Sequence, residues 1–368
     1  MRLASCLAVE VLCGVAMCCG AATGVWVTAG VVRDSLTQHE AVAANMMERT
    51  SPPRRMLPTV LEPAPLLVLP PAVGPISVFG SDDETLLAGL RGSEVTHVKI
   101  NHGGTSLSLR IDFASGARAA FKPKQVHDQS NPRREIAAYR LDRLLGIGHV
   151  PPAISGGVPL ATLIATADPL AQGIVAKRLR DEAAPTGDML YGEFSWWVPE
   201  LKNAKIKQWR IDEDDGIDAW RDFLRPSMPL PTEHADFVAQ IGTMIVFDFL
   251  IDNSDRWTGS NTKGSPDGKH LYFMDNTLSF SPFKRGHTKN LTYLRRVGRF
   301  SRALVDRMRA LTLADLRTAM APRDTDQELG ELLTEVEMLA VIARRDYVVG
   351  YIDSLIEKYD AAQVLVFP

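Results

Sequence analysis

The sequence predicts an α+β fold in which a small β-rich lobe precedes a larger, mainly helical lobe. Three observations predict it: a β-hairpin at 106–122, a capped helix that opens at Asn131, and helical periodicity from residue 300 to the end. The apolar content of 45% and the charged content of 23% are typical of a folded globular protein. We see no internal repeat.

The first 33 residues predict a signal anchor or a signal peptide. Residues 3–32 form an apolar run, interrupted by Glu10, that is long enough to span a bilayer. Small residues at 19–22 would also suit cleavage, so both interpretations stay open. Residues 34–75 are a tether that is Pro-rich from residue 50, and the folded body is expected at 76–368.

The hairpin opens the β-rich lobe. Apolar side chains alternate with polar ones along 106–113, and after a short turn the returning strand at 117–122 carries Lys122 near its end. Asn131 then caps a helix with Pro in its first turn, and Gly146 ends it.

The remaining segments complete the pattern. Residues 174–179, IVAKRL, predict another strand. Residues 233–251 predict an apolar helix that leads into a loop dense in carboxylates and amides, FDFLIDNSDRWTGSNTK. Several helices follow residue 300.

Charge and cysteine content limit the possible functions. The net charge of −3 gives no global sign of binding to nucleic acid or to an acidic membrane. Acidic residues concentrate at 181–218 and basic residues at 284–309, which indicates either internal pairing on a solvated face or a basic surface for phosphate or an acidic substrate. All four cysteines lie in the first 19 residues, which excludes disulfides, zinc–thiolate sites and a thiol nucleophile elsewhere.

Five polar residues, taken in chain order, are the set that phosphoryl transfer from ATP requires. Lys122 lies on the hairpin, Glu135 on the next helix, Asp255 and Asn261 in the loop, and Asp275 after an apolar strand. The reaction needs a cation on the phosphates, a carboxylate that orients it, an Asp beside the attacking hydroxyl, and Asn or Asp oxygens for Mg²⁺ or Mn²⁺.

Several stretches of the chain resemble the secretory-pathway kinases, the group that contains the Golgi casein kinase, the xylose kinase of proteoglycan synthesis and four-jointed. They are GTSLSLRIDFASGARAAFKPKQ (104–125), EIAAYRLDRLLGIGHVPP (135–152), FDFLIDNSDRW (247–257) and YFMDNTLSF (272–280), with weaker similarity at 192–201 and 294–308. The resemblance covers about residues 95–358.

The resemblance implies a divergent protein-kinase-like fold with an N-lobe at about 76–180 and a C-lobe at about 181–368. It implies that Lys122 meets the ATP phosphates, that Glu135 pairs with Lys122 and contacts metal, that Asp255 is the catalytic Asp, and that Asp275 binds metal. Asn261 is a further candidate metal ligand. Gly103 and Gly104 are the candidates for the nucleotide-covering loop.

Three features depart from the family pattern. Trp257 follows Arg256 where animal members usually have His, which indicates either packing or an altered substrate wall. Asn261 lies six residues after Asp255, one more than in ordinary kinases. The body has no cysteine for the disulfides of animal members, and the Ala-, Arg- and Pro-rich composition suits a bacterial relative.

The function expected from these features is ATP-dependent transfer of a phosphoryl group to a hydroxyl of protein Ser/Thr or of a sugar. The apolar N-terminus implies a membrane-anchored or secreted protein whose acceptor lies at or beyond the membrane. Two alternatives are a pseudokinase scaffold that binds nucleotide and a small-molecule or lipid kinase on a related fold. A membrane-tethered binding domain without kinase function is a third.

Overall fold

The computed structural model describes residues 77–101, 106–127, 130–258, 261–323 and 328–368. The apolar segment and the tether predicted before residue 76 lie outside the described residues. Within the described ranges, the order of elements confirms an α+β fold in which a strand-rich part precedes a mainly helical part.

The N-terminal half is built on a five-stranded antiparallel sheet, preceded by helix α1 (Asp83–Ala88). Its strands are β1 (Val95–Ile100), β2 (Leu109–Phe113), β3 (Arg118–Pro123), β4 (Ala153–Pro159) and β5 (Met189–Trp196). Their spatial order is β1-β2-β3-β5-β4. The N-lobe was expected to end near residue 180. The sheet continues past that point, because its strand β5 ends at Trp196.

The predicted hairpin is confirmed as β2 and β3. Alternate side chains of β2 are buried, and Phe121 of β3 stacks on Phe194 of β5 with ring centroids 4.6 Å apart. Because successive side chains of a strand point to opposite faces, Lys122 lies on the other face of the sheet, where its register partner on β5 is Glu193.

Helix α2 (Pro132–Leu144) begins and ends as the sequence predicts. The Asn131 side chain accepts a hydrogen bond from the Arg133 amide, and Gly146 adopts a positive φ of 66° just beyond the helix. The helix packs against β4 and β5 and buries Glu135. The hairpin and this helix thus bring Lys122 and Glu135 to one side of the sheet.

The strand predicted at 174–179 is wrong, because helix α4 (Gln172–Glu182) occupies that position. Together with α3 (Leu160–Ala165) it connects β4 to β5. Short apolar runs do not distinguish a strand from a helix by periodicity alone. Pairs of opposite charge one turn apart, such as Lys177 with Asp181, favour the helix.

The C-terminal half is mainly helical, as predicted. Its helices are α5 (Asp214–Phe223), α6 (Thr232–Ile251), α7 (Thr288–Leu294), α8 (Arg302–Ala310), α9 (Leu313–Met320), α10 (Glu335–Tyr359) and α11 (Ala361–Val364). Short strands β6 (Lys202–Asn203), β9 (Lys263–Gly264) and β10 (Leu271–Tyr272) form a sheet in the order β10-β9-β6, and β7 (Lys205–Ile206) pairs with β8 (Trp209–Arg210).

Helix α6 is the predicted apolar helix and forms the centre of this half. Nearly every residue from Ile241 to Ile251 is buried. Among the described helices it is the one that is long and apolar enough to cross a membrane, yet 67% of its most apolar window is buried inside the protein. Burial of this extent is what the core helix of a globular domain shows.

Asp252 ends α6 and fixes the loop that follows. It adopts a left-handed conformation with φ 58°, which Asp tolerates better than most residues. Its carboxylate accepts hydrogen bonds from the His287 amide at 2.6 Å and from Asn290 Nδ2 at 3.0 Å. The dense run of polar residues after the apolar helix therefore starts with a side chain that anchors the loop to α7.

Helix α2 is held to the helical half by Arg133. The Arg133 guanidinium donates to both carboxylate oxygens of Glu337, each at 2.9 Å. Glu337 also completes the capping box of α10 with Thr334. One carboxylate thus caps a helix of the second half and holds the start of the helix that carries Glu135.

Internal pairing accounts for part of the two charged stretches. Asp212 pairs with Arg210 at 2.7 Å, and Arg299 donates to the Phe223 carbonyl at 2.8 Å. Lys284 and Arg285, in contrast, are exposed.

Candidate active site

Lys122 and Glu135 form an ion pair in which Lys122 Nζ lies 2.6 Å from Glu135 Oε1. The side chain of Lys122 is 15% exposed and that of Glu135 is 6% exposed. Burial opposes the charged ammonium, but the carboxylates of Asp275 and Glu135 outweigh it and raise the pKa of Lys122 above its usual range. The lysine is therefore fully charged at neutral pH.

Asp275 joins this pair from the other half of the structure. Its Oδ1 accepts a second hydrogen bond from Lys122 Nζ at 2.7 Å. The nearby Lys122 ammonium lowers the pKa of Asp275, although partial burial opposes that effect. Asp275 has a φ of 60° and a side chain that is 48% exposed, so a ligand can reach its carboxylate.

Asn276 connects Glu135 to the segment that carries Asp275. Its backbone amide donates to Glu135 Oε1 at 2.9 Å, and its Nδ2 donates to Oε2 at 3.1 Å. Asn276 is fully buried. Both carboxylate oxygens of Glu135 are thereby fixed, one of them shared between Asn276 and Lys122.

Arg256 holds the loop after α6 against the same segment. Its guanidinium is fully buried, pairs with Asp248 at 3.2 Å, and donates to Asn276 Oδ1 at 2.8 Å and to the Met274 carbonyl. Burial raises the pKa of Asp248 to about 6, and Arg256 opposes that rise. The described hydrogen-bond partners of Arg256 are all acceptors, as a buried guanidinium requires.

We expect Arg256→Met to destabilise the protein by about 3–5 kcal/mol, because it leaves Asp248 buried without its partner. Urea denaturation monitored by far-UV circular dichroism measures the change. Arg309→Met is the matched control, since Arg309 is 41% exposed and its pair with Asp353 lies at the surface. A free energy of unfolding for Arg256→Met that equals the control's would show that the buried network does not hold this half together.

Asn253 links the loop of Asp255 to the segment of Asp275. Its Oδ1 accepts from the Asp255 amide at 3.1 Å, and its Nδ2 donates to the Asp275 carbonyl at 3.0 Å. Asn253 is fully buried, so both bonds are shielded from water. The Asn253 side chain therefore links the backbone of Asp255 to the backbone of Asp275.

The carboxylate of Asp255 is oriented by two donors from its own loop. Thr258 Oγ1 donates to Oδ1, and Asn261 Nδ2 donates to Oδ2 at 2.9 Å. Asp255 is half-buried, so it remains accessible on one side. Lys289 Nζ, from α7, donates to the neighbouring Ser254 carbonyl at 3.1 Å and adds positive charge close to this loop.

Trp257 packs inside the protein. It is 7% exposed and stacks on Tyr293 with ring centroids 4.3 Å apart, and Trp220 lies next to it at 5.7 Å. This arrangement supports the packing interpretation of Trp257 over that of a substrate wall.

The structure brings Lys122, Glu135 and Asp275 into direct contact and places Asn261 beside Asp255. The described hydrogen bonds join Asn261 to Asp255 and not to Asp275, so its role as a metal ligand stays a prediction. Gly103 and Gly104 lie outside the described residues.

Sequence reasoning did not single out four residues of this site. Asn253 and Arg256 lie in the stretch FDFLIDNSDRW and Asn276 lies in YFMDNTLSF, and dense polar side chains after apolar segments were a usable signal. Glu193 carried no such signal, because it lies at the start of the weaker match at 192–201. Its position beside Lys122 follows from the strand register.

The donor set fits a hard divalent cation. Asp275 offers an exposed carboxylate, and buried Glu193 has an oxygen, Oε2, without a hydrogen-bond partner. Oxygen ligands of this kind are those that Mg²⁺ and Mn²⁺ prefer. Among the described residues, no three His, Cys, Asp or Glu side chains already form a closed metal cluster. A bound cation would therefore take part of its coordination from phosphate or water.

Three curated proteins show sequence similarity to this chain. The human extracellular serine/threonine protein kinase FAM20C is 24% identical over 64% of this chain and 47% of its own length. The mouse pseudokinase FAM20A is 25% identical over 78% of this chain and 60% of its own length. The zebrafish glycosaminoglycan xylosylkinase is 24% identical over 56% of this chain and 60% of its own length. The chain thus spans about half to three-fifths of these relatives, and no family model matches it.

Solved structures show the same fold. The crystal structure of the Golgi casein kinase superposes with a TM-score of 0.60 at 17% identity, and 77% of each chain is covered. A structure of the Golgi casein kinase with Mn/ADP bound gives a TM-score of 0.59 at 17% identity and covers 77% of this chain and 79% of the other. A hydra Fam20 structure with sugar gives 0.55 at 19% identity and covers 76% and 90%. These matches confirm the two-lobe, kinase-like fold. The sequence matches confirm the resemblance to kinases named for protein and for sugar acceptors.

Proposed function

We propose that this protein is an ATP-dependent kinase that transfers the γ-phosphoryl group to a hydroxyl acceptor. The observation that carries the proposal is the contact of Lys122 with both Glu135 and Asp275 across 153 positions of sequence. An ammonium group held between two acids is an arrangement that phosphoryl transfer uses for binding triphosphate. The structure of the Golgi casein kinase with Mn/ADP bound, which has a similar fold, supports the proposal.

In this proposal Lys122 binds the phosphates and Glu135 orients its ammonium. Glu135 can do so because Asn276 donates hydrogen bonds to both of its carboxylate oxygens. Gly103 and Gly104 remain candidates for the loop that covers the nucleotide.

Asp275, Glu135 and Asn261 are the proposed protein ligands for Mg²⁺ or Mn²⁺. When bound, such a cation supplies positive charge to the phosphate oxygens. Asp275 presents an exposed carboxylate, and the hydrogen bonds of Asn261 to Asp255 use its Nδ2 rather than its Oδ1.

Asp255 is the proposed catalytic residue. Its carboxylate would accept a hydrogen bond from the acceptor hydroxyl and take the hydroxyl proton as the new oxygen–phosphorus bond forms and the bond to ADP breaks. Thr258 and Asn261 hold the carboxylate in one orientation, so no reorientation is needed during the reaction.

The acceptor is a Ser/Thr hydroxyl of a protein or a hydroxyl of a sugar. Relatives named for each kind of acceptor match this chain at 24% identity, so similarity favours neither. Incubation with γ-labelled ATP and Mg²⁺ or Mn²⁺ tests the proposal, with acidic Ser peptides, casein and xylose-containing glycans as acceptors. Label in one acceptor class is expected, and absence of transfer to all of them together with absence of nucleotide binding would reject the proposal.

We expect Lys122→Met to lower kcat by about 10²–10³-fold, as the loss of one preorganised group on developing charge does in other enzymes. Lys124→Met is the matched control: Lys124 lies two residues away, and its ammonium donates to the Glu328 carbonyl, outside the site. Circular dichroism should show the fold of both variants intact. Equal turnover of the two variants would remove Lys122 from the site.

A pseudokinase that binds nucleotide without transferring phosphate is the second candidate, favoured by the match to a relative named a pseudokinase. Against it, Lys122, Glu135, Asp255 and Asp275 are all present. A nucleotide-induced rise in Tm without phosphoryl transfer would identify this case. A small-molecule or lipid kinase on the same fold would instead label an acceptor outside the protein and glycan classes.

For localisation we propose a membrane-anchored or secreted protein. The apolar run at 3–32 supports a membrane anchor or a signal peptide, and one relative is named an extracellular kinase. Carbonate extraction of membranes from cells that express the full chain distinguishes anchored from released protein.

A further inference from the structure

Glu193 is a buried acid on β5 that lies directly beside Lys122. The two residues are register partners on adjacent antiparallel strands, which places their side chains on the same face of the sheet. Glu193 is 1% exposed. A carboxyl group in such a position is costly to bury unless its oxygens have partners.

Only one of the two oxygens of Glu193 has a hydrogen-bond partner. Ser195 Oγ donates to Oε1, whereas Oε2 is buried and has none. Ser195 lies two residues along the same strand, so both side chains point to the same face. The free oxygen is therefore held in a fixed orientation in the region of the Lys122 ammonium.

The surrounding charges are unbalanced without a ligand. Lys122 interacts electrostatically with three acids, Glu135, Glu193 and Asp275. Arg256 also acts on Asp275, but its own charge is paired with Asp248. Burial and then the charge of Glu135 raise the pKa of Glu193 to about 8. A divalent cation would balance the three acids when they are ionised.

We propose that Glu193 is a third acidic residue of the cation site, oriented by Ser195, whose free Oε2 binds the metal ion directly or through a water ligand. The inference rests on the proposed kinase function. It adds to the expected metal ligands a residue of β5, a strand that carries none of them. A purely structural Glu193 would instead stabilise the sheet and leave cation binding unaffected.

The test measures Mn²⁺ binding to the full-length chain by isothermal titration calorimetry, at saturating non-hydrolysable ATP analogue. We expect Glu193→Gln to weaken Mn²⁺ binding by about 10–100-fold, the range found when supporting groups of metal sites are removed. Ser195→Ala should weaken it less, and Ser195→Thr, which keeps the hydroxyl, should restore it. Glu182→Gln is the control, because Glu182 lies on α4 and pairs with Arg178.

The Tm of each variant separates a binding role from a structural one. Glu193→Gln should have a Tm no lower than the wild type, because the amide removes a buried acid of raised pKa while keeping its shape. Equal Mn²⁺ affinity of Glu193→Gln and wild type would overturn this inference and leave the proposed function intact. Lack of Mn²⁺ and nucleotide binding by the wild type would overturn both.

Discussion

Replacing Asp255 with Ala is expected to lower kcat by about 10²–10⁴-fold, the usual contribution of a positioned general base. The variant loses the only proposed proton acceptor for the attacking hydroxyl. Thr258 and Asn261, which orient its carboxylate, stay in place. Because Asp255 is half-buried and is not part of the Arg256 network, the fold and the affinity for nucleotide should persist. Steady-state transfer of labelled phosphate and calorimetric nucleotide binding measure both quantities.

The matched control for this experiment is Asp267→Ala. Asp267 lies in the turn between β9 and β10 with a side chain that is 53% exposed. It should retain wild-type turnover. If Asp255→Ala kept wild-type turnover as well, its assignment as the catalytic residue would be wrong.

Replacing Asp275 with Ala is expected to abolish transfer and to weaken Mn²⁺-dependent nucleotide binding by at least the about 10–100-fold that the loss of a supporting group of a metal site causes. The variant removes an exposed carboxylate and one of the two partners of Lys122. Since Asp275 is 48% exposed, the pair contributes about 0–1 kcal/mol to stability, and the Tm should change little.

Calorimetry with and without Mn²⁺ separates the two roles of Asp275. The metal-dependent part of nucleotide binding should disappear, while metal-free binding, which depends on Lys122, should remain. Asp346→Ala is the control, because the pair of Asp346 with Arg345 is at the surface. An Asp275→Ala variant whose nucleotide affinity still rises with Mn²⁺ would exclude Asp275 as a ligand.

Local sequence signals predicted much of the framework. The alternation of 106–113, the Asn131 cap and the apolar run at 233–251 each specify an element through contacts within a few residues, and β2, α2 and α6 have the expected positions. Lys122 and Glu135 follow from this framework, because a hairpin and the next helix bring them to one side of the sheet.

Contacts between distant segments were harder to predict. Asn276 connects the two halves, because its partner Glu135 lies 141 residues away in sequence. Arg256 in turn holds Asn276 from 20 residues away. Glu193 lies beside Lys122 because β5 pairs with β3, although α3 and α4 separate β5 from β4 in sequence. No local sequence pattern indicates such a pairing between distant strands. The strand predicted at 174–179 is a helix, so the position of the fifth strand was not predicted.

The most direct test of the site is anomalous diffraction from crystals grown with Mn²⁺ and a non-hydrolysable ATP analogue. We expect a manganese peak in direct coordination with the Asp275 carboxylate. We also expect phosphate oxygens next to Lys122 Nζ and the Asp255 carboxylate facing the γ-phosphate. A peak distant from Asp275, or a nucleotide bound away from Lys122, would contradict it.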